Sequence, residues 1–292
     1  MRLQFIAATL LSLSACTAEI SSPVDQILSF YSKPGLPIHI IRTAQYKEDI
    51  NKLDVDPAFV KSVFEKRFKY TFDGEPLSES FNRDYIQTLV TYTRKDKSTA
   101  ACLIRIGEDF YASIYRRAHL EGLLVVAHEA GHCHQLSSFL KRDQYQSALP
   151  GVRYLRNTEI TQEVRSKKIS KREGIFLLKY SEYIREVAAD ISSLLYLRHQ
   201  YRASDEAIQK ALDHLLKKRG RKNIHKYPNS VGHKTTLFLE KLTIKLLDSH
   251  MEEFQRDTFL ASMKIAYSLD RSFTFDGFKE KYGHLALTTN HF

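Results

Sequence analysis

Leu123-Leu124-Val125-Val126-Ala127-His128-Glu129-Ala130-Gly131-His132 is the stretch on which the reading of this chain turns. It contains H-E-x-x-H inside an apolar run. At roughly 100° per residue, a helix puts His128 and His132 one turn apart on one face, where both imidazoles can close on a single metal ion. Glu129 then projects beside the pair. Two neutral nitrogen donors on a rigid element, with a carboxylate next to the open position, are what a hydrolytic zinc site requires. A carboxylate so placed can take a proton from an activated water. No charged residue other than Glu129 falls between Leu123 and His134, a composition that suits a helix buried under a cleft better than a solvated one.

Working outward, the chain has 292 residues, 43% of them hydrophobic, with 11 Gly, 7 Pro and no Trp. That is enough for a substantial core and favours helix over sheet. The formal charge of +10 attracts polyanions, but the Lys and Arg are dispersed and no nucleic-acid-binding signature accompanies them. A basic surface without a nucleic-acid partner is the reading adopted.

The start of the chain carries its own signal. Met1-Arg2 is followed by an apolar run, Leu3 to Leu13, too short to span a bilayer and typical of a signal-peptide core. It ends in Leu13-Ser14-Ala15-Cys16, which resembles the bacterial lipobox. The resemblance implies cleavage before Cys16 and lipid modification of that cysteine. Thr17, where Asp would favour inner-membrane retention, implies an outer-membrane lipoprotein facing the periplasm. Residues 1–15 are thus expected to be the signal peptide, 16–37 a lipidated tether, and 38–292 one catalytic domain.

Along that domain, Ile38 to Ile41 reads as a strand, Asp56 to Phe68 as a helix, Phe72-Asp73-Gly74 as a turn and Phe81 to Val90 as a helix. Two short runs around Gly107, Ala100 to Ile106 and Asp109 to Tyr115, read as a hairpin just before the motif. Beyond Leu140 a charged, irregular region extends to about Arg172 and could act as a lid. Apolar periodicity then predicts a long helix from Glu173 to His199. Ser204 caps a shorter one through Leu216, and further helices are expected from His233 to Leu247 and Glu252 to Tyr267.

A third protein ligand is needed. The long helix repeats acidic residues every four positions at Glu182, Glu186 and Asp190, a like-charge face that a metal or histidine partner would explain. Here Glu186-Val187-Ala188-Ala189-Asp190 resembles the E-x-x-x-D element of the gluzincins, and its E-x-x-A-D form is similar to that of the membrane and periplasmic peptidases related to the prenyl-protein endopeptidase. The likeness covers about residues 100–247 and is weak outside the two motifs. It implies a zincin-like, mainly α fold of the α+β class, with a small antiparallel sheet before the motif helix and a helical C-terminal half. It also implies one Zn2+ on His128, His132 and Glu186, with Asp190 orienting a ligand histidine and Glu182 the competitor of Glu186. The upstream strand would edge the cleft. In these peptidases a histidine after the glutamate helix often stabilises the oxyanion. His233 takes that place, with Lys234 where proline is usual and Tyr227 as the next candidate. The metzincin pattern is excluded, since Gln135 stands at its glycine and Ser138 at its third histidine. His134, six residues after His128, points elsewhere.

Cys102 and Cys133 can bridge the region before the motif to the motif helix, or remain two buried thiols. The function these features imply is zinc-dependent endopeptidase activity on envelope polypeptides. The alternative is a catalytically silent envelope lipoprotein acting as a chaperone or binding module with a structural metal site.

Overall fold

The computed structural model describes residues 22–33, 36–42, 48–49, 52–53, 86–92, 100–117, 119–138, 142–222 and 234–286. Cys16, Tyr227, His233, the helix expected at 56–68 and the turn at 72–74 lie outside them. The described chain is mainly helical, with one small sheet.

The sheet has three strands: β1 (Ile38–Arg42), β2 (Ile86–Tyr92) and β3 (Ala100–Ile106). Their order is β1-β3-β2, with β1 parallel and β2 antiparallel to β3. The sheet is therefore mixed, not antiparallel, and β3 is its centre. The strand immediately upstream of the motif is paired on both sides and so has no free edge. Residues 86–90, expected to be helical, belong to β2, which pairs residue by residue with β3 from Ile86 opposite Ile106 to Tyr92 opposite Ala100. The expected hairpin around Gly107 is also absent, because Glu108–Arg117 is a helix, α2. The Gly107 carbonyl accepts from Tyr111 N at 2.9 Å, and the rings of Tyr111 and Tyr115, four apart, meet tilted with centroids 4.2 Å apart. Gly107 thus precedes a helix rather than turning a ribbon.

Before the sheet, Pro23–Tyr31 forms α1, opened by a capping box between Ser22 and Asp25. Val24, Ile27 and Tyr31 are buried, so α1 is core. The expected tether through residue 37 is corrected: the folded unit begins by Ser22, because the 3–4 spacing of those apolar residues gives this segment a face to bury.

The motif lies on α3 (Leu120–Ser138). Leu123, Leu124, Val126, Ala127, Ala130 and Cys133 are all fully buried, while Val125, Glu129 and His132 are only partly so. Those three, spaced by four and three, lie along one partly accessible face of the helix. α3 packs on the sheet and on α1, and on its other side meets the 29-residue α6 (Lys171–His199). Ser181 through Leu197, interrupted by only a few partly buried positions, is interior, so α6 is the spine of the helical half. Between them the region expected to be irregular contains α4 (Arg142–Ala148) and α5 (Asn157–Arg165). Tyr145, Leu149, Val152, Tyr154 and Ile160 are buried there, which makes it a wall of the core and not a detachable lid.

After α6 comes α7 (Asp205–Lys222), whose Ser204 hydroxyl accepts from Ala207 N. The two long helices expected downstream are each broken. Leu242 is extended between α8 (Thr236–Lys241) and α9 (Ile244–Asp248), where Thr243 caps anew. Asp257 separates α10 (Met251–Arg256) from α11 (Thr258–Leu269) by capping Leu260 N. A 3-10 turn, Arg271–Phe273, leads into α12 (Phe275–Ala286). One core cluster runs from Val24 to Tyr282. No helix of the described residues is long and apolar enough to cross a membrane.

Candidate metal centre

α3 and α6 approach closely at small residues. A Cβ on Gly131 would sit 3.5 Å from Ser192 Oγ and 3.7 Å from Ala189 Cα. That proximity brings the two expected donor helices together. His128 Nε2 lies 3.1 Å from His132 Nε2, His132 Nε2 is 3.3 Å from Glu186 Oε1, and His128 Nε2 is 3.5 Å from Glu186 Oε2. Among the described residues, His128, His132 and Glu186 form a group that could hold a metal ion. The spacing is right for one. Donors about 2.0–2.1 Å from a tetrahedral ion are about 3.3–3.4 Å from each other. Glu182, one turn earlier on α6, is not part of the group.

Each imidazole is held from behind, leaving Nε2 to face the cluster. His128 Nδ1 is 2.9 Å from Asp190 Oδ1, a charge contact whose angle falls short of a straight hydrogen bond. His132 Nδ1 donates to Gln135 Oε1 at 3.2 Å, and Gln135 Nε2 donates to the Arg185 carbonyl at 2.8 Å. Buttressing of this kind fixes tautomer and ring orientation in metal-binding histidines. Asp190 was expected in this place. In the sequence Gln135 stands out only as a departure from the metzincin pattern, although its position three residues after His132 puts it on the same face.

The largest addition is Arg219 on α7, only 7% exposed. Its Nε donates to Asp190 Oδ2 at 2.9 Å and its Nη2 to Asp190 Oδ1 at 2.6 Å, a bidentate pair. The same Nη2 donates to Glu186 Oε2 at 3.0 Å and stands 3.5 Å from His128 Nε2. Thr235 completes the arrangement, its hydroxyl donating to Asp190 Oδ2 at 2.7 Å. Arg219 lies beyond Leu216, where the expected helix ended, in a largely basic segment from Lys217 to Lys222. A signal existed: Ile208, Ala211, Leu212 and Leu215 are buried, and the next position on that stripe is 219.

The electrostatics follow from these contacts. Burial opposes charge on Asp190, but Arg219 and His128 overcome it and hold the carboxyl well below the usual range. Burial likewise works against a charged His128, yet Asp190 and Glu186 beside it push the imidazole up to about 9. The Arg219 guanidinium, also buried, is held charged by Asp190, Glu186 and, more weakly, Glu129. Glu129 is partly buried on α3, next to the cluster in sequence and within its field. His134 is buried away from the site, its Nδ1 3.4 Å from the Tyr31 carbonyl.

Behind α3, Cys102 and Cys133 are disulfide-bonded, with Cα atoms 5.7 Å apart. The bond ties the central strand to the residue that follows His132. No protein-family model matches this chain, and no match was found among curated proteins or solved structures.

Proposed function

We propose that this chain is a zinc-dependent endopeptidase with a zincin-like catalytic arrangement, acting on polypeptides of the bacterial envelope. The observation that carries the reading is the triangle of His128, His132 and Glu186 donor atoms, with Glu129 next to His128 in sequence and, like His132, only partly buried. The donor chemistry fits zinc: two imidazoles and one carboxylate, each histidine supported from behind, leave a fourth position open. Zinc there would supply a Lewis acid for a peptide carbonyl and for the attacking water.

The chain's own residues do the rest. Glu129 takes a proton as water oxygen bonds to the carbonyl carbon, then delivers it to the amide nitrogen as the C–N bond breaks. Asp190 and Gln135 hold each histidine with Nε2 facing the cluster, where it would meet the ion. His233 remains the candidate for stabilising the oxyanion. β2 is an edge of the sheet and packs against α3, and among the described residues it pairs only with β3, so an extended substrate could add alongside it.

The lipid anchor on Cys16 is part of the same proposal. From Cys16 to Ser22 the chain can reach at most roughly 20 Å. A lipid at Cys16 would therefore hold the domain against the periplasmic face of the outer membrane.

The test is a pair of measurements on one variant. Glu129→Gln should retain stoichiometric zinc by elemental analysis while losing the peptides that wild type releases in envelope extracts. Peptide release that survives in Glu129→Gln would refute the mechanism, and purified, unchelated wild type without transition metal would refute the site.

A further inference from the structure

The support behind His132 reaches the other donor helix as well. Gln135 stands one turn after His132 on α3, is only 2% exposed, and bridges two groups. Its Nε2 donates to the Arg185 carbonyl at 2.8 Å, and its Oε1 lies 3.2 Å from His132 Nδ1. The orientation of this amide is dictated. A main-chain carbonyl only accepts, so the amide nitrogen must face Arg185 and the amide oxygen must face the imidazole. An amide oxygen in turn only accepts, so a proton of His132 belongs on Nδ1. That leaves Nε2 for the cluster, where it stands 3.3 Å from Glu186 Oε1 and 3.1 Å from His128 Nε2.

The far end of the bridge matters as much. Arg185 and Glu186 share a peptide unit on α6, so the carbonyl that Gln135 grips belongs to the main chain from which Glu186 projects. One side chain thus spans from the imidazole of one donor to the backbone of another. Gln135 is itself held, because the buried Tyr154 hydroxyl donates to its carbonyl at 3.1 Å. A neutral amide does this without adding negative charge to a site that already carries Glu129, Glu186 and Asp190, where a further buried carboxylate would be costly.

We infer that Gln135 is a positioning residue that sets the tautomer of His132 and ties it to the segment bearing Glu186, and so raises the metal affinity of the centre. This rests on the metal reading above. Gln135 acts through two of the three donors and need touch neither ion nor substrate.

Wild type, Gln135→Leu and Tyr154→Phe, each with isotope-labelled histidine, separate the two claims. Zinc affinity is measured by chelator competition, and exchange of the imidazole N–H protons with solvent is followed by NMR in the zinc-loaded proteins. Gln135→Leu should bind zinc about 10- to 100-fold more weakly. The Nδ1 proton of His132 should exchange faster in that variant, while that of His128, beside Asp190, keeps its rate. Tyr154→Phe, which takes a bond from the Gln135 main chain but leaves the amide bridge, should match wild type in both measurements. If Gln135→Leu lacks native near-ultraviolet circular dichroism, Gln135→Met, which keeps an unbranched stem, carries the same comparison. An unchanged affinity in the Gln135 variant, an unchanged His132 proton, or an equal loss of affinity in Tyr154→Phe overturns the assignment and leaves the metal site standing. A wild type that takes up no zinc removes both.

Discussion

The bond between Cys102 and Cys133 gives a prediction whose size can be worked out. The two residues are 31 apart in sequence, and both side chains are fully buried. Closing a loop of that length removes roughly 12 cal/mol/K from the unfolded chain, or about 3.7 kcal/mol at 25 °C. For a domain whose net stability is on the order of 5–15 kcal/mol, that is a large share. The experiment uses the Cys16→Ser background, so that only this pair is in play, with a chelator present to remove any metal contribution. Urea unfolding is compared for the oxidised protein, for the same protein unfolded and refolded in reductant, and for Cys102→Ala/Cys133→Ala. The reduced protein keeps both sulfurs and isolates the cross-link, whereas the double alanine also loses their packing and should be the least stable. Because neither sulfur is exposed, thiols should appear in the native protein only as fast as it unfolds. The reasoning fails if oxidised and fully reduced proteins differ by less than about 1 kcal/mol with both thiols shown free. It fails equally if the unfolded, unreduced protein already titrates two thiols.

Gly131→Ala should be tolerated within the motif: the added Cβ meets Ser192 and Ala189 at ordinary contact distances, and a mid-helix glycine costs up to about 1 kcal/mol, so a loss of stability in urea unfolding would contradict the packing described. Asp190→Asn strips the counter-charge from buried Arg219 and the support from His128; metal affinity in a chelator competition should fall about 10- to 100-fold, and an unaltered affinity would show that Asp190 does not orient the histidine. In the metal-free protein, His128 is raised from 6.5 to about 9 on folding, so its contribution is complete below pH 6.5 and is lost as the pH rises through 9. Urea unfolding in chelator should therefore give up to about 3 kcal/mol less stability at pH 9.5 than at pH 6.5, and a flat profile would deny the charge contact. Cys16→Ser should move the protein from the membrane to the soluble envelope fraction, and continued membrane association would end the lipoprotein proposal.

What the sequence disclosed depended on the range of the interactions involved. The long helix α6 was legible because Phe176, Leu177, Tyr180, Ile184, Val187 and Ile191 repeat at helical spacing over many turns, a local pattern that tertiary contacts only reinforce. Strand β2 was not legible. Ile86 to Tyr92 is short, and its identity comes from residue-by-residue pairing with β3 rather than from any property of its own. The parallel partnership of Ile38 with Cys102 is more remote still, since nothing near either residue specifies it. Gly107 misled for a related reason: a glycine beside a strand fits a turn or a helix start equally well, and here its carbonyl accepts from Tyr111 N to open a helix.

The same distinction runs through the candidate site. His128 and His132 could be paired because four residues on one helix fix their geometry, and Glu186 and Asp190 because the same spacing repeats on a second. How the two helices face each other was not in either pattern. It depends on small residues at their crossing, Gly131 and Ala189, and on a third helix reaching both. Arg219 makes that third connection. Asp190 sits with no exposure between His128 of α3, Arg219 of α7 and Thr235 just before α8, and a buried carboxylate without those partners would cost several kcal/mol. The acidic face that looked like a ligand set is therefore also the junction that decides where three other segments lie. Substituting it should disturb fold and metal affinity together.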